Sequence, residues 1–113
     1  MATMKLKETE ADVQRTILDY LHMKGHGAWR INTQGVPMWG KKQAFVGMRP
    51  SPMKGIADII GLHKDNGLFF AIEVKSKTGK ASSEQLEFLS EVRLRSGIGI
   101  VARSLEDVID TGL

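Results

Sequence analysis

The chain of 113 residues contains no cysteine, which excludes structural disulfides and thiolate zinc sites and suits a reducing compartment. It also lacks any apolar run approaching the length of a membrane span. Its N-terminus does not follow the basic-then-apolar order of a signal peptide, so a soluble, intracellular protein without a membrane partner is expected. There is no internal repeat or low-complexity tract, and the three histidines are spread over positions 22, 26 and 63 with no metal-ligand spacing. The length suits one domain over residues 1–113: room for a single sheet with a few helices, too little for two cores.

One further absence is local. No acidic side chain occurs from Trp29 to Ala57, whereas Arg30, Lys41, Lys42, Arg49 and Lys54 all fall in that stretch. The net charge is only +3, with a pI of about 9.3, so its placement matters more than its size. A basic segment containing Trp39 and Phe45 is the kind of surface that takes a polyanion and stacks on bases, although an aromatic pinning the loop to the core is the commoner use of such a ring.

What the chain does have is a short apolar strand interrupted by a carboxylate, Lys54-Gly55-Ile56-Ala57-Asp58-Ile59-Ile60-Gly61. A second strand carries Ile72-Glu73-Val74-Lys75. Alternate residues of a strand share a face, so Glu73 and Lys75 point one way and Ile72 and Val74 the other. Hairpin pairing of the two strands brings Asp58 and Glu73 together. Two hard oxygen ligands suit Mg²⁺ or Mn²⁺, and the Lys75 ammonium beside them suits the attacking water or the charge of a phosphate. Taken alone, the alternation also fits the solvated face of an antiparallel sheet. Phe69 and Ala71 share the face of Glu73 and Lys75, which favours a charged end on a partly buried face.

Around these strands the pattern predicts a helix from Thr9, boxed with Asp12, to Gly25, its apolar stripe formed by Val13, Ile17, Tyr20 and Leu21. Glu10 sits at the start of that stripe, either complementing the helix dipole or, if the stripe packs near Asp58, adding a third acid to the site. A first strand is expected at 28–33. A long loop punctuated by Gly35, Pro37, Gly40, Gly47, Pro50, Pro52 and Gly55 follows, with room for a short strand at 43–46. Strands at 56–62 and 68–76 flank a turn at Asn66-Gly67. Ser82 with Gln85 boxes a helix running to Ser96, with Leu86, Phe88, Leu89 and Val92 apolar and Gln85 on the same stripe. That amide either caps the helix or supports a ligand. A last strand at 98–103, parallel to the Glu73 strand, and a short helix at 105–110, boxed by Ser104 and Asp107, complete the chain.

This order, with Glu10 and Val13-Gln14 in the first helix, the Gly55-x-x-Asp58-Ile59 segment, Glu73-Val74-Lys75, Gly79-Lys80, and Gln85 with Leu89, resembles the VRR-NUC family of PD-(D/E)XK nucleases over nearly the whole chain. The position before the aspartate, often proline in that family, is Ala57 here. The resemblance implies an α/β restriction-endonuclease-like core, a mixed central sheet flanked by helices in the order α-β-β-β-α-β-α, and Mg²⁺- or Mn²⁺-dependent hydrolysis of DNA. By that resemblance Asp58, Glu73, the Val74 carbonyl and Glu10 form the metal site, Lys75 orients the attacking water and steadies the phosphorane, and Gln85 supports the site. Lys41, Lys42, Arg49 and Lys54 are the candidate DNA contacts. Stand-alone members of this family look like Holliday junction resolvases and are often encoded by phages, which implies branched DNA as substrate, a homodimer making two symmetric cuts, and action in the cytoplasm of a host. The alternative is a DNA-binding module that keeps the fold without catalysis, which retention of Asp58, Glu73 and Lys75 together disfavours. A restriction-like enzyme is disfavoured too, because little chain is left over for base recognition.

Overall fold

The computed structural model describes residues 8–31, 36–39, 45–49 and 55–113, with the backbone alone for 36–39 and 45–49. Its elements are helix α1 (Glu10–Lys24), strands β1 (Gly27–Arg30), β2 (Val36–Trp39), β3 (Phe45–Arg49), β4 (Ile59–Leu62) and β5 (Phe69–Val74), helix α2 (Ser83–Leu94), strand β6 (Ile98–Ala102) and helix α3 (Leu105–Ile109). β1, β4, β5 and β6 form one mixed sheet in that spatial order, with helices on both faces. Apart from β2 and β3, the elements follow the expected sequence α-β-β-β-α-β-α.

The pairings follow from the connections. β4 and β5 are antiparallel around the turn, where the Asn66 side chain accepts from the Leu68 N–H at 2.8 Å and Gly67 takes a φ of 72°. β5 and β6, joined through α2, are parallel. Alternation along β5 then divides the core. Phe70, Ile72 and Val74 face Val13, Ile17 and Leu21 of α1 and Val108 of α3, whereas Ala71 faces Leu89 and Val92 of α2.

Three expectations are corrected. The 34–54 segment is not all loop: β2 and β3 pair antiparallel with one another. Pro37 and Gly47 read as punctuation, yet a two-stranded ribbon has only edge strands, where a missing donor costs little. Ser104 makes no side-chain cap; instead the Asp107 carboxylate accepts the Arg103 N–H at 2.8 Å, one residue earlier than a capping box requires. Leu86 is half exposed, since Gln85, Phe88, Leu89 and Val92 already fill the inward stripe of α2. The boxes at Thr9–Asp12 and Ser82–Gln85 form as expected.

Candidate active site

Asp58 stands just before β4, where the antiparallel ladder to β5 runs out. Its carbonyl accepts the Ile31 N–H at 2.7 Å, which carries the β1–β4 register one residue further. Its carboxylate accepts the Val74 N–H at 2.8 Å. A continued ladder would have offered that donor the Ala57 carbonyl, so the Asp58 side chain substitutes for a missing backbone acceptor. The aspartate is therefore held from both neighbouring strands. N–H and C=O of one strand residue point to the same side, so the Val74 carbonyl also faces the Asp58 end.

The approach to Asp58 depends on Gly55. Its φ is 90°, and a Cβ there would lie 2.9 Å from Glu84 Cβ and 3.0 Å from the Glu84 carbonyl oxygen. The chain thus crosses the first turn of α2 in a left-handed conformation that glycine alone adopts without strain, before burying Ala57 against Leu89.

Glu73 lies in β5 on the α2 face and is 1% exposed. Gln85, in the first turn of α2, serves two neighbours with one amide. Its oxygen accepts the Ser82 N–H at 2.8 Å, closing the capping box, and its nitrogen donates to Glu73 Oε1 at 2.9 Å. Its capping role is thus carried by the oxygen, while the amide nitrogen meets the Glu73 carboxylate rather than a ligand. Lys75 Nζ lies 3.4 Å from the same Oε1. Glu73 Oε2 is buried with no hydrogen-bond partner. Burial, followed by the negative charge of Asp58 and the hydrogen bond that only a protonated Glu73 can donate to it, raises the Glu73 carboxyl from 4.5 to about 7, against the opposing pull of Lys75; the ionised carboxylate has no donor at Oε2.

Asp58, Glu73, Lys75 and Gln85 therefore converge at one end of the sheet. Glu10 does not join them in a three-acid cluster. It is exposed at the start of α1, whose stripe packs on the opposite face from Glu73, and no group of three or more His, Cys, Asp or Glu able to hold a metal is found among the described residues. Lys41, Lys42 and Lys54, and the side chain of Arg49, lie outside the described residues. Two carboxylates and a carbonyl directed toward one another, with one buried oxygen lacking a donor, are hard ligands of the kind Mg²⁺ and Mn²⁺ take while keeping several waters.

The histidines are less scattered than their spacing suggests. His26 is buried at the opposite end of β4, its Nδ1 accepts the Lys64 N–H at 3.0 Å, and its ring lies edge-on to His63 at 4.6 Å. Nothing in their sequence separation signals this meeting, which the β4–β5 turn creates. No helix among the described residues is long and apolar enough to cross a membrane. Comparison with protein-family models gives no match, and comparison with curated proteins gives no significant relative.

Proposed function

We propose that the chain is a divalent-metal-dependent DNA endonuclease with a PD-(D/E)XK-type core, its active centre formed by Asp58, Glu73 and Lys75. The observation that carries this is the buried, unpartnered Oε2 of Glu73 beside Asp58, with an ammonium 3.4 Å from the other oxygen of the same carboxylate. An exposed strand face gives no reason to bury a carboxylate in this way; a cation site does.

Asp58, Glu73 and the Val74 carbonyl would hold the cation. When bound, Mg²⁺ or Mn²⁺ supplies Lewis acidity, neutralising phosphate charge and making water more acidic. Gln85 fixes Oε1 of Glu73 and leaves Oε2 as the oxygen available to a cation. Lys75, mostly sheltered but not closed off, donates to the attacking water and then to the charge that grows on the phosphorane. Together these groups hold water and phosphorus in line, the larger part of phosphoryl-transfer catalysis.

The substrate we assign is branched DNA. One active centre per chain and two cuts per four-way junction make a twofold homodimer the simplest working unit; the site of action we assign with it is the cytoplasm.

Cleavage of labelled single-stranded, duplex, flap and four-way-junction DNA, with Mg²⁺, Mn²⁺ or EDTA, tests this. Asp58→Ala and Glu73→Ala should lose cutting by at least about 100-fold while still binding DNA, and Lys75→Ala should lose turnover with metal binding intact. Paired nicks on the junction support the resolvase form; cuts confined to flaps or single strands keep the nuclease and remove resolution. Tight binding without metal-dependent cutting turns the assignment to the binding module.

A further inference from the structure

Beyond Lys75 the chain does not leave the sheet freely. The Lys75 N–H donates to the Ala102 carbonyl at 3.0 Å, one step past the end of β5. The Arg103 guanidinium, just after β6, then donates to the Gly79 carbonyl at 2.7 Å and also to the Ser76 carbonyl. Within the turn the Gly79 N–H donates to Ser76 Oγ at 3.0 Å, and a Cβ on residue 79 would meet that same oxygen at 2.9 Å. The 76–80 loop is thus a fixed turn, drawn onto the end of β6 by a cation bonded to neutral carbonyls.

The consequence is electrostatic. No acid occurs from Lys75 to Ser83. Lys77 and Lys80 are exposed, and neither forms an ion pair among the described residues. The Asp107 carboxylate beside Arg103 accepts from its main-chain N–H. Lys77 is only two residues from Lys75, within about 7 Å along the backbone. Measured along a duplex axis, that distance corresponds to roughly two nucleotides of rise at about 3.4 Å each.

We propose that the 76–80 loop, braced by Arg103, is a phosphate-contacting ledge: Lys77 and Lys80 bind the DNA backbone next to the scissile phosphate, independently of the 34–54 segment. The inference rests on the nuclease assignment above and names where the substrate strand runs. Uncompensated cations on a pre-formed turn lose little conformational freedom when a polyanion docks, and each phosphate neutralised releases counterions.

The test is the affinity of a labelled four-way junction for the full chain in EDTA, which blocks cutting, across a salt series. The chains compared are wild type, Lys77→Gln with Lys80→Gln, and the control Lys24→Gln with Lys64→Gln, exposed positions at the opposite end of β4. Circular dichroism melting confirms that each folds. The ledge predicts that the slope of log Kd against log salt falls by about 2 in the Lys77/Lys80 variant and stays unchanged in the control. If wild type binds and cuts DNA but the Lys77/Lys80 variant keeps its slope, the ledge is wrong and the nuclease stands. Equal losses in both variants reduce the effect to net charge and also overturn the ledge. A wild-type chain that neither binds nor cuts DNA removes both.

Discussion

Glu73 concentrates the conflict on which the site depends: a carboxyl enclosed by the sheet and α2, beside a second carboxylate, with one oxygen satisfied and one not. Folding raises its pKa, so the folded chain holds this proton more tightly than the unfolded chain. The stability that results is complete below about 4.5 and is lost as pH climbs to about 7, at a slope of up to about 1.4 kcal/mol per pH unit. Glu73→Gln keeps an oxygen to accept from Gln85 and removes the titration. Urea unfolding of metal-free protein from pH 4.5 to 7.5 should show the wild type losing stability relative to this variant; parallel curves would mean that Glu73 titrates normally. Burial lowers the pKa of His26 and tilts stability the other way with pH, but it is common to both chains and cancels in the comparison. Sequence alone indicated that Glu73 and Lys75 share a face, because strand alternation is a local property. It did not indicate that Glu73 would be almost fully buried, which depends on α2 lying over it.

At the scale of elements, the helix boundaries were legible because capping boxes are written within four residues: Thr9–Asp12 and Ser82–Gln85 both close. The Ser104–Asp107 pair has the same spelling, but the neighbouring Arg103 N–H captured the acid, and spacing cannot foresee that competition. The hairpin and the parallel last strand were legible from the Asn66-Gly67 turn and the intervening helix. The Gly55-x-x-Asp58 spacing was visible too, but its physical reason was not, because it lies across the fold in the first turn of α2. Gly55→Ala should cost about 1–2 kcal/mol for the left-handed backbone, with a further penalty from the contact with Glu84. Chemical denaturation measures it, and a loss below 0.5 kcal/mol, roughly the level of a neutral surface change, would mean that this crossing is not tightly packed.

For the whole molecule, the sheet's two faces divide the work. α1 and α3 close the larger apolar core, and α2 closes the face that carries Glu73. Glu10 could not be placed from sequence because its stripe marks α1 as buried without saying on which face; the fold packs that stripe on the face opposite Glu73. His26 and His63 meet for the same kind of reason, through a turn between distant segments. What remains on the α2 face is a two-carboxylate site with a carbonyl beside it, the proposed divalent-cation site. Titrating Mn²⁺ into wild type, Asp58→Asn and Glu73→Gln, with free ion followed by electron paramagnetic resonance, tests that without assuming a substrate. Both variants keep an oxygen for the Val74 and Gln85 donors, so the fold is preserved while the charge is lost. Saturable binding by the wild type, weakened at least about tenfold in each variant, is the predicted result. No saturable binding by the wild type, or binding unchanged in both variants, would contradict it.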